Sequence, residues 1–290
     1  MSEIKKWWNI IRPKTLFASL CPVLTALFLS LNQTRFEGKT ILIFVIVLLC
    51  ALSLQILSNL INDYYDYKKG ADKKGRVGFK RALAEGAIRV DQVRRAIYLT
   101  LAISILLGIV LICFGGIPIL LIGVSAIIFA WLYTATNHSL SYLGIADVFC
   151  FLYYGIFAVC GTYYLLTDMP LFSSKSVVCV GAICGLISMM VLMINNLRDI
   201  EDDRQVGKKT LPVRFGKRFG EYAILLYSLL MLVLSFLAFG LSLTNIIFIP
   251  AYMLYQEIAS ATGDQYNKCL FKAGLLNLFF VFLLLLEVLL

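Results

Sequence analysis

Nine stretches of this chain stay apolar for about the length that a helix needs to cross a hydrocarbon layer, and they leave little sequence for anything else. A layer about 30 Å thick takes about 20 helical residues. Such runs can be drawn at 15–31, 41–61, 96–114, 117–133, 144–165, 177–197, 220–240, 242–258 and 270–290. Of the 290 residues, 60% are hydrophobic and 15% charged, with a mean hydropathy of +0.87. That composition excludes an ordinary soluble enzyme and suits a multi-span membrane protein. The expected fold class is all-α, a polytopic membrane protein of about nine transmembrane helices forming one domain over residues 1–290.

Lys and Arg near span ends stay on the cytoplasmic side, so they set the orientation. The N-terminal tail, the 62–95 and 198–219 connections and the last connection hold 23 of the 26 cations. The opposite loops hold three, Arg35, Lys39 and Lys175. An odd number of spans then puts the N-terminus and both long polar connections in the cytoplasm and the C-terminus outside, in an integral protein of the cell inner (plasma) membrane. Trp7 and Trp8 beside Lys5 and Lys6 read as an interfacial anchor. No small-residue cleavage site follows the first apolar run, so the N-terminus is expected to be retained. The eight cysteines are scattered through apolar segments with no Cys-x-x-Cys spacing, which points to buried hydrophobes rather than zinc or disulfides. His138 stands alone in a short loop and receives no role.

Acidic residues are scarce, and the scarcity gives their placement meaning. Two clusters stand where long apolar runs end: Asn62-Asp63-Tyr64-Tyr65-Asp66 with Asp72, and Asn195-Asn196-Leu197-Arg198-Asp199 with Asp203. Residues four apart share a helix face, so Asn62/Asp66 and Asp199/Asp203 each present two oxygen ligands side by side. Topology accounts for lysines in such loops and says nothing about carboxylates at that spacing. Each cluster also runs on into basic, Gly-containing sequence, as in Gly207-Lys208-Lys209-Thr210.

Two acidic faces amid an excess of cations suit a polyanion held through Mg²⁺, because the metal bridges carboxylate and phosphate oxygens while Lys and Arg meet the remaining charge. Mg²⁺ takes one or two carboxylates and completes its octahedron with water and phosphate, so the two pairs are about the provision for two ions. At a membrane-embedded site the diphosphate ester to expect is an isoprenoid. Stabilising the departing diphosphate makes its allylic carbon an electrophile. No nucleic-acid partner is expected; membrane lipid surrounds the spans.

The two segments resemble the aspartate motifs of the UbiA superfamily of intramembrane prenyltransferases, and more closely its 1,4-dihydroxy-2-naphthoate (menaquinone) branch. Asn62 through Asp72 is similar to that branch's Tyr-rich first motif. Asn196 through Asp203, followed by Gly207-Lys208-Lys209-Thr210-Leu211, is similar to the second, and Arg12-Pro13-Lys14-Thr15-Leu16 with Pro22 to the family's opening. The resemblance implies a helical bundle around a central cavity that holds Mg²⁺ and a prenyl diphosphate. By matching position it implies metal-side roles for Asn62, Asp66, Asp199 and Asp203, then Asp63 and Asp72. It implies diphosphate roles for Arg81, Arg198, Lys208 and Lys209, with Arg198 and the acids Asp66 and Asp199 central to catalysis.

The acceptor side departs from the branch pattern: Tyr133-Thr134-Ala135-Thr136-Asn137 replaces Tyr-Thr-Gly-Gly-Pro, Asp147 replaces Glu, and Gly78-Phe79 replaces Gly-Pro. Tyr64, Tyr133 and Tyr142 are candidates to border an aromatic acceptor. Asp147, an acid inside an apolar segment, is expensive in lipid and is expected to face a cavity, where it assists proton loss, binds a hydroxyl or packs on a tyrosine. The leading acceptor is an aromatic acid or quinol precursor such as 1,4-dihydroxy-2-naphthoate. Another naphthoate isomer, 4-hydroxybenzoate, homogentisate or haem is the alternative. A cation-coupled transporter is the reading from a different class, and it would place its acids near the bilayer midplane.

Overall fold

The fold is that of a computed structural model, which describes residues 3–35, 37–70, 82–136 and 139–290. Asp72, Arg81 and the Gly78-Phe79 pair lie outside the described residues, as do Asn137 and His138. The described secondary structure is helical throughout: α1 (Glu3–Ile11), α2 (Pro13–Ser30), α3 (Gly38–Lys68), α4 (Val90–Thr134), α5 (Leu140–Leu143), α6 (Ala146–Phe151), a π turn (Leu152–Ile156), α7 (Phe157–Thr167), α8 (Lys175–Arg198), α9 (Ile200–Gln205), α10 (Leu211–Phe215), α11 (Lys217–Phe239), a 3₁₀ turn (Leu243–Ile247), α12 (Phe248–Ser260) and α13 (Gln265–Leu289).

Among the described residues, six helical stretches are long and apolar enough to cross a membrane by length and composition, counting α6 to α7 as one, and Thr15–Ser30 is a shorter apolar helix. The difference from nine expected runs has local causes. Two of those runs fall within α4, whose 45 residues would measure about 67 Å as one straight helix, more than twice a hydrocarbon core of about 30 Å. The helix is broken at Gly116, where φ 60 and ψ −146 lie in a region that only glycine adopts readily, two residues before Pro118. The Tyr164 hydroxyl pins the break by donating to the Gly115 carbonyl at 3.1 Å. The expected 242–258 run is divided between the 3₁₀ turn and the 13-residue α12.

The helices bury one another unequally. Within its apolar window α8 is 78% buried, whereas α4 is 17% buried. The α8 helix is the pillar of the main core cluster, with Ile183, Ile187, Met190 and Ile194 fully enclosed by α11, α13 and the π turn. A Cβ at Gly185 would stand 2.6 Å from the Phe151 carbonyl oxygen, so the α6–π–α7 segment crosses α8 at a distance only a small residue permits. On the outer face of α4, Leu99, Leu106, Ile117 and Leu121 are each more than 60% exposed. An apolar surface of that extent matches lipid rather than water.

Candidate active site

The helices enclose a cavity of about 820 Å³. Its lining follows α3 from Val47 to Asp66, which is about 28 Å of helix at 1.5 Å per residue. Most of this wall is aliphatic and aromatic. Most of the charged groups gather at one end, where Arg12, Asp66, Arg198, Asp203 and Lys208 line it together with the Asn62 amide.

The two acidic segments meet there. The Lys208 ammonium lies 3.8 Å from Asp66 Oδ2 and 3.7 Å from Asp203 Oδ1, so one cation spans the gap between clusters more than 130 residues apart in the chain. Both carboxylates are buried. Asp203 reaches this position because the helix breaks at Asp199, which caps α8 and starts α9 with φ −99 and ψ 12. The chain then turns back, the Lys208 amide donating to the Asp203 carbonyl at 2.9 Å. Lys209, its neighbour, has an exposed side chain, and its amide donates to the Tyr142 carbonyl at 3.0 Å. A Cβ at Gly144 would collide with the Lys209 carbonyl oxygen, so the 142–144 backbone lies directly against the Lys208–Lys209 turn.

Asn62 is fixed at both ends of its amide, accepting from Arg12 Nη2 at 3.2 Å and donating to Thr134 Oγ1 at 3.0 Å. Arg12 also forms an ion pair with Asp63. This pairing accounts for Asp63 as the partner of an arginine on the α1–α2 joint, about 100° around α3 from Asn62. Arg12 occupies the left-handed region, φ 53 and ψ 68, which costs a non-glycine residue about 1–3 kcal/mol. Pro13 already disfavours right-handed helix at the residue before it. In the second segment Arg198 is committed to its own cluster: Nε and Nη2 donate to the two Asp199 carboxylate oxygens at 2.8 Å each, Nη2 to Asn195 Oδ1 at 2.8 Å and Nη1 to Asn267 Oδ1 at 3.0 Å. The guanidinium therefore orients Asp199.

The sequence offers three tyrosines as candidates to border an acceptor, and the structure separates them. Tyr133 lines the cavity. Tyr64 does not; it packs among Ile10, Leu60, Leu83 and Val93, on the far side of α3. The reason is periodicity, because two residues along a helix turn through about 200°, so Tyr64 points away from the face shared by Asn62 and Asp66. Tyr142 lies at the mouth, its ring 4.7 Å from the Lys69 ammonium and 5.6 Å from that of Lys208. Asp147 is buried and lines the cavity.

Three groups enter that were given no role from sequence. Arg12 was legible only as part of a motif. Lys69 donates to the carbonyls of Thr134 and Thr136 at 2.6 Å each, tying the end of α3 to the end of α4. Burial lowers its pKa from the ordinary lysine range, Lys208 pushes the same way, and Asp66 opposes them. Thr210 Oγ1 is buried at the same end of the cavity with no hydrogen-bond partner among the described residues. The signal for Lys69 and Thr210 was their position within the two basic connections.

The donor set at the mouth is hard oxygen, carboxylate and amide, which fits Mg²⁺ and not a soft metal. Among the described residues no three His, Cys, Asp or Glu side chains converge as a complete cage. An ion that takes one or two carboxylates and leaves the rest of its shell to phosphate and water is matched to that provision.

A membrane-embedded cavity with paired acids and lysines at a polar mouth defines a class of protein, and residues 19–284 match one such class, the UbiA prenyltransferase family, to which the chain belongs. It is 36% identical over 274 residues to the 1,4-dihydroxy-2-naphthoate octaprenyltransferase of Haemophilus influenzae, covering 89% of this chain and 85% of that one. To the enzyme of the same name from Escherichia coli it is 34% identical over 223 residues, 75% of this chain and 70% of the relative. Its fold matches that of a UbiA homolog from Archaeoglobus fulgidus solved with DMAPP and Mg²⁺, with a TM-score of 0.70 at 16% identity, over 98% of this chain and 99% of that one.

Proposed function

We propose that this protein transfers a polyprenyl group from a prenyl diphosphate to 1,4-dihydroxy-2-naphthoate in menaquinone synthesis, releasing diphosphate and CO₂ and giving a demethylmenaquinone-type product. The observation that carries the reading is the Lys208 ammonium shared by Asp66 and Asp203 at the polar end of a long apolar cavity. A prenyl diphosphate has that same division into a charged head and a greasy tail. The named relatives supply the acceptor.

Asn62, Asp66, Asp199 and Asp203 are the residues that would hold Mg²⁺, which when bound offsets charge on the diphosphate oxygens. Lys208 and Thr210 face the head group, Arg12 and Arg198 hold the acids in place, and the apolar wall takes the prenyl chain. Lys208, with its side chain 11% exposed, stabilises negative charge on the departing diphosphate with less screening than at an open surface. Fixing donor and acceptor in one chamber lowers the barrier further. The surrounding helices complete nine spans in this reading, with α4 counted as two about Gly116 and with α2 and α12 as short spans. The Lys- and Arg-rich mouth faces the cytoplasm, in the inner membrane.

The test is release of diphosphate by detergent-solubilised protein given a prenyl diphosphate and a panel of aromatic acids, with the product mass measured. Product from 1,4-dihydroxy-2-naphthoate that disappears with EDTA and returns with Mg²⁺ is the expected result. Product from another acid alone would replace the acceptor. Uptake into sealed vesicles with no product would replace the enzyme with a transporter.

A further inference from the structure

The acids and cations at the mouth leave one carboxylate without a task. Asp147 is 4% exposed, lines the cavity, and has Oδ1 buried with no hydrogen-bond partner among the described residues. Burying a carboxylate oxygen without a donor is costly unless something supplies the missing hydrogen bond. Neither Lys208 nor Arg198 does so; the first pairs with Asp66 and Asp203, the second with Asp199.

The cavity wall next to Asp147 differs from the rest of the lining. Phe149 packs on Phe129 with ring centroids 4.2 Å apart, Phe129 lies 5.2 Å from Tyr153, and Tyr153 lies 5.2 Å from Phe157. All four rings line the cavity. The π turn at Leu152–Ile156, held close to α8 through Gly155 and Gly185, sets Tyr153 and Phe157 on the same wall. Tyr133, one turn beyond Phe129, lines the same cavity, and the next residue, Thr134, accepts from Asn62 at 3.0 Å, so this wall adjoins the diphosphate end.

We propose that Asp147 and this aromatic wall bind the acceptor ring, with a ring hydroxyl donating to Asp147 Oδ1 and the ring stacked on Phe129 and Phe149. The inference rests on the function proposed above and adds the residue that recognises the acceptor. A prenyl tail has no donor to offer a carboxylate, whereas a hydroxyarene has both the flat face and the O–H. A site that needs a hydroxyl rejects the analogue lacking it, because the buried acceptor is then left unsatisfied.

The test uses the full chain in detergent with Mg²⁺ and a prenyl diphosphate, and compares 1,4-dihydroxy-2-naphthoate with its O-methyl ethers. For the wild type, kcat/KM is expected to favour the free hydroxyl by about 100-fold. In Asp147→Leu the acceptor KM is expected to rise by about tenfold or more and the preference to shrink to a few-fold, with the donor KM unchanged. Asp147→Asn, which keeps the shape and a neutral acceptor, falls between the two and decides the matter alone if the leucine variant does not fold. Wild-type acceptor KM and wild-type preference in these variants would overturn the inference while leaving the proposed function standing. No transfer to any aromatic ring by the wild type would overturn both.

Discussion

The two acidic segments read alike in sequence and are held in place differently. The first depends on partners from distant parts of the chain: Arg12 lies 50 residues from Asn62, and Thr134 lies 72 residues away on the other side. Among the described residues the second is held mostly from nearby, with Arg198 clamping the adjacent Asp199 and Asn195 one turn back, and Asn267 reaching in from α13. Behind it stands α8, the most enclosed of the spanning helices, whereas α4, which supplies Thr134, is mostly exposed. The second half of the site is thus built on a rigid post, and the first is assembled by tertiary contacts. Lys208 joins them.

The largest expected effect tests whether both halves are needed at all. Asp66→Ala and Asp199→Ala should each lower turnover by about 10³-fold or more while leaving folded, membrane-inserted protein, since on the proposed function each removes a carboxylate that would hold Mg²⁺ without touching the apolar spans. A steady-state assay beside a detergent thermal melt checks both parts.

The next effect separates the two halves. Arg198→Ala removes the two-pronged partner of Asp199 in a setting where the pair is 4% and 1% exposed, and should cost about 3–5 kcal/mol of stability. Arg12→Ala loosens a tether at 14% exposure and should cost about 1–3 kcal/mol, with a fall in turnover out of proportion to the melt. Equal losses of stability in the two variants would break the distinction drawn here.

A smaller effect probes the strap between α3 and α4. Lys69→Met removes both carbonyl contacts to 134 and 136 and should raise the donor KM by about tenfold, as a positioning loss of about 1.4 kcal/mol. The smallest effect of all is expected for Lys209→Ala, read against Lys208→Ala at its neighbour. The exposed Lys209 should change turnover by less than about twofold, within the range of surface substitutions. Lys208 should cost about 100-fold.

How much of this was legible in the sequence depends on the range of the interaction. The acidic pairs stood out because carboxylates are scarce here and their spacing follows helical periodicity, which also carries the information that Tyr64 faces away from Asn62. The break in α4 was readable at Gly115-Gly116 and Pro118, and the runs at 96–114 and 117–133 meet there. The number of spans was less readable, because length alone does not tell a short crossing from a segment divided by a 3₁₀ turn. Least legible were contacts across the bundle. Nothing within a few residues of Arg12 marks Asp63 as its partner, and nothing near Asp203 announces that a lysine five positions on will fold back onto it. Arg198, the strongest candidate for diphosphate by motif, donates to Asp199, Asn195 and Asn267, and its pairing with the adjacent Asp199 is one that helix geometry alone does not require.

The most direct test of the central claim is a double-mutant cycle on Mg²⁺-dependent binding of a prenyl diphosphate, measured by calorimetry for the wild type, Asp66→Asn, Asp203→Asn and the pair together. One head group gripped by both segments predicts strong coupling, with the double variant losing little more affinity than either single one. Losses that simply add would mean that the two acids act at separate sites, and would contradict the account.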